Sequence, residues 1–128
     1  MEPSVQADSL ARKVIGAAIE VHKHLGPGFI ESIYEEALAF ELTARDVSFE
    51  RQQNIPVVYK GQNVGNGRLD FLIEKQLIVE LKAVDSLLPI HHAQVISYLK
   101  ASQLQLGLLL NFNMPILKHG IKRIINTE

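Results

Sequence analysis

The sequence predicts an α+β domain in which a mixed central sheet is flanked by helices. Three observations lead there. Two stretches near the N-terminus carry apolar residues at helical spacing, and the middle of the chain switches to a period of two. A later helical stretch then precedes Leu104–Phe112, a nearly unbroken apolar run of the kind found in strands covered on both faces. With 128 residues and 47% hydrophobic content, the chain suits one compact domain, expected over residues 9–128 after a disordered lead-in over residues 1–8.

Asp8 or Ser9 is placed to cap a first helix whose apolar side is Leu10, Val14, Ala17, Val21 and Leu25, and Gly26-Pro27-Gly28 ends it. His22 and His24, two positions apart, point in different directions and make poor partners for one metal. A second helix is expected from Phe29 to Ala44, with Ile30, Ile33, Tyr34, Ala37, Leu38 and Leu42 as its stripe. Glu31 and Glu35 share its flank, where the helix dipole alone accounts for acidic residues in a first turn.

From Val47 to Tyr59 the alternation is that of a strand, and Lys60-Gly61 marks a turn. The return strand begins near Val64. Its Gly65 and Gly67 point to a bulge or to a place where another backbone or a ligand comes close. Pro89 suits the first position of a helix running to about Ser102, on which Gln94 and Tyr98 stand one turn apart. The last segment, Ile116–Ile125, interleaves Lys118, Lys122 and Arg123 with apolar residues, as an edge strand guarded by charge or a patch for nucleic-acid backbone would.

The chemistry concentrates between Arg68 and Ala83. Phe71 and Ile73, with Leu69, alternate on one arm and Leu77, Val79 and Leu81 on the next. A three-residue loop at Glu74, Lys75 and Gln76 sets Ile73 opposite Leu77, and therefore Asp70 opposite Glu80; a two-residue loop would place the carboxylates on different faces. Cross-strand Cβ atoms lie about 4.5–5.5 Å apart, where two like charges repel unless something positive intervenes. A divalent cation would supply that charge, and Lys82 stands on the same face two residues beyond Glu80. A solvated sheet face with an ordinary charge pattern is the competing reading, and the hairpin alone leaves the two open.

Other classes are excluded more simply. Without cysteine there is neither a disulfide framework nor a thiolate zinc site. A net charge of −1 gives no bulk electrostatic footprint for nucleic acid. The sequence carries no Walker-type loop, dinucleotide fingerprint or long apolar span, and a cytoplasmic protein with no membrane partner is expected.

The order of elements, with Asp70 on one strand and Glu80-Leu81-Lys82 on the next, resembles the PD-(D/E)XK nuclease core, the fold of restriction endonucleases. Gly28-Phe-Ile-Glu31-Ser-Ile-Tyr34 resembles the signature of the GxxExxY proteins, a branch assigned to that superfamily, as do Val79-Glu-Leu-Lys-Ala83 and Gly120-Ile-Lys-Arg-Ile-Ile125. The likeness covers about Leu10 to Asn126. The resemblance implies Asp70 and Glu80 as metal ligands, with the backbone carbonyl of Leu81 as a third and Mg²⁺, or Mn²⁺, as the ion. It implies Lys82 as the residue that orients or activates water, and Glu31, with Glu35 as the competing choice, as the helix carboxylate. Gln94 and Tyr98 resemble the Gln-x-x-x-Tyr of RecB-like nucleases. The proline of the superfamily's name is replaced here by Leu69. The implied activity is Mg-dependent hydrolysis of phosphodiester bonds in nucleic acid, DNA before RNA. The alternatives are a non-cleaving nucleic-acid-binding or regulatory module of the same fold, a partner protein that supplies the grip, or a homo-oligomer joined through the apolar C-terminal strand.

Overall fold

A computed structural model describes residues 3–127. Helix α1 (Val5–Leu25) is capped by Ser4, whose Oγ accepts from the Ala7 N–H at 3.0 Å. The helix therefore begins well before the expected cap at Asp8 or Ser9, and residues 5–8 are not a lead-in: Ala7 is buried, and Asp8 pairs with Arg123 near the other end of the chain. The first two residues of that expected lead-in lie outside the described residues. Ser4 prevails because the cap it offers adds a turn that buries Ala7 and leaves Asp8 favourably inside the first turn.

Helix α2 (Glu31–Ala44) follows a turn fastened by Tyr34. This fully buried side chain donates to the Gly26 carbonyl at 2.5 Å, accepts from the Phe29 N–H at 3.2 Å, and stacks on Phe112 at 4.6 Å. The tyrosine of the Gly28-to-Tyr34 motif thus fastens the junction between α1 and α2, and the glycine lies in it with φ 108°. They aim the start of α2, where Glu31 stands.

The sheet has five strands in chain order: β1 (Phe49–Tyr59), β2 (Gln62–Ile73), β3 (Leu77–Lys82), β4 (Leu106–Asn111) and β5 (Ile121–Ile125). Every neighbouring pair is antiparallel except β3 with β4, which are parallel and joined by helix α3 (Pro89–Ser102). Strand β4 is buried along its whole length, as its unbroken apolar run predicts, so it is interior and offers no surface for joining subunits. Strand β5 is the charged edge, with Lys122 and Arg123 exposed.

Helices α1 and α2 cover one face over Phe71, Ile73, Leu77, Val79, Leu81, Leu108 and Leu110. Helix α3 covers the other with Val95 and Leu99 against Ile78 and Leu109. Leu69 departs from the expected alternation, since it packs with Ile55 in the α3 cluster whereas Phe71, two residues on, lies in the other. The change of side falls at Asp70. Across from it Gln52 has φ 51°, a left-handed backbone rare for glutamine, and the ladder skips that pair.

The β1–β2 hairpin turns at Lys60-Gly61, with φ 48° and 79°, values that suit a two-residue hairpin loop. Continuous pairing from this turn would set Gln52 opposite Leu69. Val64 instead has no partner, the register shifts between Val57 and Val58, and Gln52 comes opposite Asp70. The expected bulge at Gly65 is present, with φ 145° there. Gly67 is a close approach, but to a side chain rather than to a backbone or a ligand: a Cβ on it would lie 2.8 Å from Tyr98 Cε1.

Candidate active site

The β2–β3 turn holds the register on which the site depends. Glu74 and Lys75 take φ 46° and 61°, the Gln76 N–H donates to the Ile73 carbonyl at 2.9 Å, and Ile73 pairs with Leu77. Phe71 pairs with Val79, so Asp70 and Glu80 come next in line. There the backbone ladder gives way to side chains. The Asp70 N–H donates to Glu80 Oε2 at 2.7 Å, and the Leu81 N–H donates to Asp70 Oδ2 at 2.8 Å. Each carboxylate reaches across to the other strand, and both are held at the point where the strands part.

Burial dominates their electrostatics. Glu80 is 3% exposed, and burial, followed by the charge of Asp70, pushes its carboxyl up to about 8; the bond from the Asp70 N–H and Lys82 oppose this less strongly. Asp70 is raised mainly by burial, against the pull of the Leu81 N–H, Lys82 and a side-chain hydrogen bond from Gln52. Glu31, at the first position of α2, is raised by burial and then by Asp70, while Lys82 lowers it. Three carboxyls on three elements therefore feel one another around a single ammonium.

Lys82 extends the group to α3. Its Nζ donates to Gln94 Oε1 at a long 3.5 Å, and Gln94 Nε2 donates to the Tyr98 hydroxyl at 3.3 Å. Helix α3 is aimed by Pro89 at its first position and by His91, whose Nδ1 accepts from the Leu88 N–H at 3.0 Å. The structure thus brings Asp70, Glu80, Leu81 and Lys82 together on one hairpin, with Gln94 and Tyr98 beside Lys82 and Glu31 coupled to the carboxyls. Glu35 stands at the margin of the group with its oxygens taken: it accepts from Gln52 Nε2 at 2.8 Å and from Arg51 at 3.5 Å. His22 bonds the Met114 carbonyl and His24 pairs with Glu20, both away from this group.

Gln52 is the site residue that sequence reasoning missed. It donates to Glu35 on α2 and stands across from Asp70, whose pKa it helps to lower. The flag at Gly65 was the available signal, because the bulge beside that glycine decides which residue of β1 faces Asp70.

The chain matches the PD-(D/E)XK nuclease superfamily over residues 8–124. The chain belongs to this superfamily. The mixed five-stranded sheet with its three helices is consistent with the PD-(D/E)XK nuclease fold, and membership makes the domain one of a nuclease class that acts on nucleic acid and generally uses divalent metal ions. No curated protein and no solved structure matched the chain.

Among the described residues, no three acidic or imidazole side chains converge into a ready-made cation cage. A hard cation such as Mg²⁺ does not need one, because it keeps water and substrate oxygens and takes only one or two carboxylates. Asp70 and Glu80 fit that requirement. They are oxygen donors held on neighbouring strands, and burial raises the pKa of both, a penalty on the charged forms that a bound cation would relieve. Among the described residues, no helix is long and apolar enough to cross a membrane.

Proposed function

We propose that this PD-(D/E)XK protein is a metal-dependent nuclease that hydrolyses phosphodiester bonds of nucleic acid, and that it belongs to the GxxExxY branch. The observation that carries the proposal is the pairing of the half-buried Asp70 and the buried Glu80 beside Lys82, with Glu80 pushed up to about 8. Repulsive buried carboxylates are costly to keep unless an ion or a proton relieves them.

In this reading Asp70, Glu80 and the Leu81 carbonyl hold Mg²⁺, with Mn²⁺ as a substitute. The bound ion would polarise the phosphodiester and lower the pKa of coordinated water. The Lys82 ammonium orients the attacking water and offsets charge developing on the phosphoryl oxygens. The water oxygen forms the new bond to phosphorus, the ester bond to the departing oxygen breaks, and that oxygen takes up a proton. Gln94 holds Lys82 in place and Tyr98 holds Gln94, in keeping with their distances. Glu31 is the helix carboxylate of choice over Glu35, because it is the one coupled to Asp70 and Lys82. DNA is the favoured substrate and the cytoplasm the expected setting.

The test is calorimetric titration of Mg²⁺ and Mn²⁺ into the parent, Asp70→Asn and Lys82→Ala, with cleavage of mixed DNA and RNA substrates followed on the same samples. Asparagine keeps an acceptor for the Leu81 N–H, so a loss of metal binding in Asp70→Asn reports on charge rather than folding. Asp70→Asn should lose binding and cleavage, and Lys82→Ala should lose cleavage while still binding metal. Undiminished cleavage by either variant would remove the assigned roles. The net charge of −1 is the observation that favours the second reading, a non-cleaving nucleic-acid-binding or regulatory module working with a partner. Nucleic-acid binding with neither metal uptake nor cleavage in the parent would select it.

A further inference from the structure

The β1–β2 hairpin is far longer than the sheet needs. Strands β1 and β2 have 11 and 12 residues, whereas β3 and β4 have 6 each and β5 has 5. Strand β2 pairs with β3 only over Phe71–Ile73, so residues 62–70 run on past β3 for roughly 25 Å at strand rise. Apart from the Asp70 N–H, held by Glu80, their edge carries backbone donors and acceptors that pair with no further strand among the described residues.

Helix α3 covers only one side of this ribbon. Ile55 and Leu69 pack under it, and Gly67 lies against the Tyr98 ring. By alternation the residues between them belong to the other side. Asn54 stands opposite Arg68 and Pro56 opposite Asn66, and all four are exposed. Further out, Val58 is 63% exposed.

Composition sets this ribbon apart from the rest of the molecule. Residues 52–68 contain Lys60 and Arg68, six Asn or Gln, and no Asp or Glu, while the remainder carries eleven Lys or Arg against fourteen Asp or Glu. Amides and a guanidinium make paired hydrogen bonds to purine edges, and exposed valine methyls suit the thymine methyl. Positive charge without carboxylates suits phosphate on either side of a groove.

We propose that the β1–β2 hairpin enters the major groove of duplex DNA, with Asn54, Asn66 and Arg68 toward the base edges. A two-stranded ribbon fits the major groove of B-form DNA, whereas that of A-form RNA is too deep and narrow for side chains to read. Arg68 lies two residues from Asp70 on the same strand, about 7 Å away at strand rise, and the change of side at Asp70 separates their faces, so a duplex gripped by the ribbon passes beside the carboxylate pair. The proposal rests on the nuclease reading and adds the form of its substrate.

The test measures binding in EDTA, where cleavage plays no part, using anisotropy of a labelled DNA duplex of about 20 base pairs, the same single strand and the RNA duplex. The parent should bind the DNA duplex tightest. Arg68→Ala with Asn54→Ala and Asn66→Ala should weaken that binding at least tenfold and flatten differences between duplex sequences. Lys60→Ala with Arg68→Ala should lower the slope of log affinity against log salt by roughly two. All four substitutions fall at exposed positions, and unchanged melting curves would exclude misfolding. A triple variant that binds like the parent overturns the proposal, as does a parent that prefers single strands or the RNA duplex. Cleavage in Mg²⁺ that persists beside either result leaves the nuclease reading intact. A parent that neither binds nor cleaves any of the three overturns both.

Discussion

Glu80 shows how one buried carboxyl sets the pH response of the protein without metal. Its pKa lies near 8 in the folded state against an ordinary value of 4.5. The folded chain therefore holds a proton that the unfolded chain has released across that interval, so the associated stability is full below about 4.5 and is lost as pH rises through 8. Asp70 and Glu31, also raised, act in the same direction. Glu80→Gln keeps an acceptor for the Asp70 N–H and removes the titration. In EDTA at pH 9 it should be more stable than the parent by about 2–4 kcal/mol in urea unfolding, with little difference at pH 4.5. A parent whose stability does not fall between these pH values would mean that the carboxyl is not desolvated as described. Much of this residue-scale picture is readable in the sequence, because Asp70 and Glu80 are joined by a short turn whose length fixes their register. Gln52 was not readable, because its place depends on the unpaired Val64 and on a left-handed backbone that glutamine seldom adopts.

At the scale of elements, the site depends on α3 lying close to β2. Gly67 gives that closeness, with no Cβ to meet the Tyr98 ring. Gly67→Ala should push the ring away, break the Gln94–Tyr98 hydrogen bond and cost about 1–3 kcal/mol in thermal or urea unfolding. Under the proposed function its cleavage rate falls further than its metal affinity, because Asp70 and Glu80 are untouched; equal losses in both would place Tyr98 outside the site. The elements themselves were legible from periodicity, including Pro89 at the head of α3 and the interior strand β4. The start of α1 was not. Ser4 and Asp8 are both competent caps, and packing of Ala7 decides between them.

For the whole molecule, two faces of one sheet do different work. The α1–α2 side is a continuous apolar core, while the α3 side gives up part of its packing to charged and amide side chains. A metal that binds only the folded chain offsets this: at a hundred times its Kd the gain is about 2.7 kcal/mol. For a chain of this size that is a rise in Tm of roughly 8–12 °C. The rise in Mn²⁺ should be larger at pH 8 than at pH 6, since protons compete for the same carboxylates, and Asp70→Asn should abolish it. An equal rise in that variant would locate the ion elsewhere. The mixed sheet was legible from the order of apolar patterns. The crossing of Leu69 to the α3 side was not, because it arises where two strands twist past each other at Gln52.

The unpaired Val64 also bears on how the chain can change in length. Of the residues near the hairpin tip it is the one without a cross-strand partner, so its deletion leaves every pair from Val57–Gly65 back to Phe49–Ile73 in place. Removal of a residue from the β1 arm would instead leave β2 with two to spare, and the amide of Gln52 would lose its alignment with Asp70. The ribbon can thus shorten by one on β2 without re-facing a side chain, whereas β1 is fixed in length by the carboxylate it serves.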